Sequence, residues 1–148
     1  MPIMEASPTK ESDLFKGVSQ RVLGEIGKIA EEISFEKDAV IFRTDEEAPY
    51  IYELVQGVVD IVVLERDNMH FSVMRPGEIF GLSALVEPYV YTATANCVSD
   101  VKVIRIARDS IENVVQHHPA EGLMIYKHLA GIIGNRLRSA YQYIYRQT

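Results

Sequence analysis

Arg75-Pro76-Gly77-Glu78-Ile79-Phe80-Gly81-Leu82-Ser83-Ala84-Leu85 ends one extended run, turns, and starts a helical turn. Pro76-Gly77 is turn chemistry. Gly81, set directly before a short helix, leaves backbone N–H groups unpaired at the helix start, and such a turn can cradle an anion. Tyr91-Thr92-Ala93-Thr94 then resumes an extended run.

Working outward, the neighbouring segments are short and rich in β-branched and aromatic residues. They are Ile33-Ser34-Phe35, Ala39-Val40-Ile41-Phe42, Tyr50 to Val55, Val58 to Val63, His70 to Met74, Thr92 to Ala95 and Val101 to Ile106. Turn residues separate them at Asp45-Glu46-Glu47, Gln56-Gly57, Arg66-Asp67-Asn68, Pro76-Gly77 and Ser99-Asp100. No long helix intervenes, which excludes alternating β-α-β units and leaves antiparallel pairing in a roll or barrel. Asp60 interrupts one apolar strand; facing inward it needs a partner, facing solvent it needs none.

Helical spacing flanks this region. Ser19 is an N-cap candidate for a first helix carrying Val22, Leu23, Ile26 and Ile29, weakened by Gly24 and Gly27. Asp109 with Glu112 reads as a capping box before Ile111, Val114 and Val115. His118-Pro119 breaks that helix and opens another, spanning about 119–145. Its Ala130, Ile133, Leu137, Ala140 and Ile144 alternate in steps of three and four, the spacing of a coiled-coil seam. That stripe packs either on the chain's own roll or on a second copy. Leu123, Ile125, Tyr126, Leu129, Ile132, Tyr141, Tyr143 and Tyr145 add apolar surface on other faces, so homodimerisation through this helix is the expectation.

Bulk properties narrow the function. The 148 residues suffice for one core, and 47% hydrophobic with 24% charged residues is ordinary for a globular chain. The net charge of −6 and scattered Lys and Arg give no basic face for direct DNA binding. One cysteine, Cys97, excludes an internal disulfide and a Cys-based metal or iron–sulfur site within one chain; beside a strand it is a core residue. No signal peptide or membrane span is read, so a cytoplasmic location is expected. Residues 1–11, polar with two prolines, form a tail expected to be mobile, and residues 12–148 form one domain with its roll over about 32–107.

Here the chain resembles the cyclic-nucleotide-binding domain family, which includes the sensor half of catabolite-activator-type regulators. The resemblance runs from Leu14-Phe15 through Ile41-Phe42-Arg43, Tyr52 to Val59, Pro76 to Gly81 and Thr92-Ala93-Thr94, to His118-Pro119 and Asn135-Arg136-Leu137. It implies a mainly β fold, an antiparallel double-stranded β-helix or jelly-roll-like β-roll, with flanking helices and a long C-terminal helix. It also implies a ligand whose phosphate sits on the short helix after Gly81. The family's glutamate for the ribose hydroxyl falls at Leu82, and its phosphate-binding arginine falls at Tyr91. Losing that arginine alone removes a contact of roughly 1.5–3 kcal/mol, so tight cAMP or cGMP binding in the usual pose is not expected. Backbone N–H groups of Ser83, Ala84 and Leu85 and the Thr92 hydroxyl remain. Asp45 stands where many relatives have glycine. Tyr141 lies near the family's base-contacting region and either stacks on a planar ligand or packs in the dimer or core.

Catalysis is not supported. Ser83 lacks a nucleophile elbow, and His70, His117, His118 and His128 do not have the spacing of a metal site, so no metal, haem or other cofactor is expected. The expectation is a dimeric ligand-sensing domain. Its candidate ligand residues are Phe80, Gly81, Leu82, Ser83, Ala84, Leu85, Tyr91, Thr92, Ala93 and Tyr141. The chain stops where activator-type relatives continue into a helix-turn-helix, so output is expected to pass to a separate, unnamed protein partner. A ligand-free dimerisation or interaction module, a pocket for a less charged aromatic or amphipathic molecule, and true cyclic-nucleotide signalling are the alternatives.

Overall fold

Eight strands pair into two four-stranded antiparallel sheets, one ordered β1-β8-β3-β6 and the other β2-β7-β4-β5. They are β1 (Glu31–Phe35), β2 (Val40–Phe42), β3 (Tyr50–Gln56), β4 (Val59–Leu64), β5 (Met69–Val73), β6 (Ile79–Phe80), β7 (Thr94–Cys97) and β8 (Val101–Ala107). A computed structural model describes residues 12–64 and 69–147, except the side chains of residues 64 and 147. The expected tail over 1–11 and the turn at Arg66-Asp67-Asn68 lie outside the described residues.

Strand order follows the sequence pattern. β8 sits between β1 and β3, and its Val101, Val103, Ile104 and Ile106 are buried while Lys102 and Arg105 reach outward. Leu54 of β3, Val59 of β4, Val73 of β5 and Ala95 and Cys97 of β7 join them between the sheets. Cys97 is thus the free, buried core thiol expected of it, and burial pushes its pKa up. On the outer face Asp60 finds its partner: its carboxylate lies 2.8 Å from Nδ1 of His70 on β5.

Three helices flank the roll: α1 (Gln20–Gly27), α2 (Arg108–His117) and α3 (Pro119–Gln147). Ser19 caps α1, its hydroxyl accepting from the Val22 N–H. Val22, Leu23 and Ile26 are buried, but Ile29 falls past the helix end and is 58% exposed, so the expected stripe is one residue shorter. The Asp109–Glu112 capping box does not form. The N-cap of α2 is Ala107, with no side-chain cap bond, and the Arg108 N–H is instead held by the Pro49 carbonyl. α2 and α3 meet closely: a Cβ at Gly122 would come within 2.8 Å of the Val115 Cα. Ser19 and Glu121 lock α1 to the start of α3 through bonds of 2.8 and 2.9 Å. No helix among the described residues is long and apolar enough to cross a membrane.

Candidate functional site

β6 ends at Phe80, and Gly81 follows with φ 74°, in the left-handed region. A Cβ there would press on the rings of Phe42 and Tyr52 at 3.3 Å each, so both conformation and space favour glycine. A one-turn 3₁₀ helix, Leu82–Leu85, comes next, with Ala84 and Leu85 buried. The Ala84 N–H donates to the Gly81 carbonyl at 3.2 Å, so it is spent within the turn. This narrows the backbone cradle read from the sequence.

Above this turn lies a cavity of about 390 Å³, near the low end of the usual small-molecule range of roughly 300–1,000 Å³. Phe80, Gly81, Leu82, Ser83, Tyr91, Thr92 and Ala93 line it, as the sequence led us to expect. Ala84 and Leu85 lie beneath it in the core, and Tyr141 is 62% exposed and outside the lining. From the other side the strands contribute Ile61, Val63, Met69 and Phe71, and α3 contributes Ile133, Arg136, Leu137 and Ala140. Three of the five expected seam residues, Ile133, Leu137 and Ala140, therefore face the cavity mouth, while Ala130 and Ile144 do not.

Tyr91 is not a ligand-facing hydroxyl. Its ring stacks on Phe42 with centroids 3.8 Å apart and planes 11° from parallel. Its hydroxyl donates to the Tyr50 carbonyl at 2.7 Å, and the residue is buried. Burial, reinforced by neighbouring Tyr52, raises its pKa, so the phenol stays neutral. Tyr52 and Phe80 stack in turn at 5.4 Å, completing a four-ring cluster under the cavity. Where the family pattern has a cation, this chain has an aromatic floor. The floor is fixed from behind: the Asp45 N–H donates to the Tyr91 carbonyl and the Tyr91 N–H to the Glu46 carbonyl. Asp45 has φ 71°, which explains why glycine suits that turn, and aspartate is among the few other residues that tolerate it.

Two arginines missed by sequence reasoning shape the site. Arg108 stacks 4.2 Å over Tyr89 and donates to the Ala48 and Ala84 carbonyls, tying the 3₁₀ turn to the start of α2. Arg136 reaches from α3 into the cavity lining, its guanidinium carbon 5.0 Å from the Phe71 centroid. Burial lowers its pKa from the arginine value, against the opposing pull of Glu78. Its place within Asn135-Arg136-Leu137 was the only signal. No group of three or more metal-ligating side chains occurs among the described residues. His118 instead pairs with Glu25 at 2.9 Å, and the Nδ1 atoms of His117 and His128 lie at hydrogen-bond distance from the Asn113 and Leu14 carbonyls.

Comparison with known proteins places this geometry. The profile described as Cyclic nucleotide-binding domain matches residues 32–118. A crystal structure of a protein described as cyclic nucleotide-binding, from Geobacter metallireducens GS-15, superposes with a TM-score of 0.72. It is 30% identical, over 84% of this chain and 91% of that one. The CRP-like cAMP-activated global transcriptional regulator of Mycobacterium tuberculosis is 23% identical over 84% of this chain and 55% of its own length. Glutaminase 1 of Bradyrhizobium diazoefficiens is 25% identical over 90% of this chain, which spans only 21% of that enzyme.

Proposed function

The chain belongs to the cyclic nucleotide-binding domain family, and on that premise we propose that it is a dimeric small-molecule sensor whose ligand is not a tightly held cyclic nucleotide. One observation carries this reading. A cavity of about 390 Å³ lies over the 3₁₀ turn, but the roll presents Leu82 and the buried Tyr91 where a ribose acceptor and a phosphate cation would stand. A cyclic nucleotide would leave charged and hydroxyl groups without partners there, at about 1–3 kcal/mol each.

The same cavity is roofed by α3, so an occupant touches both the roll and the helix. Its differential affinity for two α3 positions sets how far it can shift them. A related module lies within a transcriptional regulator and within a glutaminase, each longer than this chain, which supports a regulatory rather than a catalytic role. Output through α3 to a partner is the corresponding expectation.

The test is thermal stabilisation with cAMP, cGMP and a metabolite panel, run beside sedimentation. A ligand at 100 times its dissociation constant adds about 2.7 kcal/mol. The expected outcome is no cAMP shift, a clear shift with a less polar compound, and a dimer. A strong cAMP shift overturns the reading. A second reading, a ligand-free dimerisation module, is favoured by the exposure of Leu137 at 49% and Ile144 at 56%; an intact dimer with no responding compound would establish it.

A further inference from the structure

Arg136 is the one charged residue in the cavity lining, and it comes from the helix rather than the roll. Among the described residues no carboxylate lies within 4.0 Å of its guanidinium. Glu78, the acid that influences it, keeps its Oε1 on the backbone N–H groups of Met74 and Arg75 at 3.3 and 3.2 Å. The cation is therefore held partly out of water by a ring face alone, with its forked donors directed to a cavity and no anion to receive them. The walls around it are Val63, Met69, Phe71, Leu82 and Leu137. Only Ser83 and Thr92 add side-chain hydroxyls.

We propose that this cavity takes an amphipathic monocarboxylate, its acid paired with Arg136 and its apolar body laid across Leu82 and the aromatic floor. The proposal rests on the cavity being a ligand site and names the ligand's chemistry. One charge and an apolar body match one cation and apolar walls; a nucleotide's ribose and base edges do not. A planar carboxylate accepts two parallel N–H bonds from a guanidinium. The acid then grips α3 while the body grips the roll, so the two ends of one molecule hold the two elements together.

The probes are 4-phenylbutyrate, its neutral counterpart 4-phenylbutan-1-ol, and cAMP, titrated calorimetrically into the full chain and into Arg136→Met and Arg136→Lys. The acid is expected to bind about tenfold or more tighter than the alcohol. Arg136→Met is expected to erase that preference while leaving the alcohol's affinity unchanged, which also shows that the variant is folded. Arg136→Lys, a point charge without the fork, is expected to restore only part of it. Equal binding of acid and alcohol to the unmodified chain, or an acid preference that survives Arg136→Met, overturns the proposal while leaving the cavity as a ligand site. Tight cAMP binding with neither probe bound, or no binding of any of the three, overturns the ligand reading and the proposal together.

Discussion

The two halves of α3 are similarly apolar in sequence and opposite in circumstance. From Pro119 to Leu129 the helix is built in: Ile125 is fully buried, Leu129 nearly so, and Gly122 touches the backbone of α2. Glu121 is bonded to Ser19 across the molecule. From Ala130 onward Ile133, Leu137, Tyr141 and Ile144 are 37–62% exposed, and only Ile132, Arg136, Ala140 and Tyr143 turn partly inward. Hydrophobicity alone does not say whose core a residue belongs to. The first half is committed to this chain's own core; the second spans a cavity and leaves a seam-spaced stripe in water.

This contrast can be broken at several points. The largest effect is expected from Ile125→Ala, which should cost about 2–5 kcal/mol in chemical denaturation. Leu137→Ala should leave the folded chain far less affected but weaken self-association, read by sedimentation across concentrations; equal stability losses would erase the contrast. Gly122→Ala is expected to cost about 1–3 kcal/mol, because its new Cβ meets backbone that cannot swing aside. Gly131→Ala should have the opposite sign, a gain of about 0.4–1 kcal/mol, since nothing lies within 4 Å of its added carbon. The two glycines, nine residues apart on one helix, thus give the finest comparison.

Local chemistry was legible in the sequence, and chemistry that needs two distant segments was not. The strands, the Ser19 cap and the break at His118-Pro119 follow from neighbours in the chain. The capping box failed because the start of α2 is held by Pro49, nearly sixty residues away. Tyr91 was placed at the phosphate position, but its ring direction depends on Phe42 and on the Tyr50 carbonyl. Ala84 belonged to the turn yet not to the cavity, because a 3₁₀ helix spends its own amides. Arg136 went unnoticed as a cavity residue because helical spacing places it beside the seam, and only the approach of Phe71 on β5 reveals its surroundings.

The close seat of Gly122 on Val115 has a mechanical corollary. With α2 and the first turns of α3 clamped and Leu129 as fulcrum, the remaining helix is an arm. At about 1.5 Å per residue, Arg136 lies roughly 10 Å along it and Gln147 roughly 27 Å. A displacement at the cavity is then magnified about two and a half times at the tip, without any relay of rearrangements through the roll.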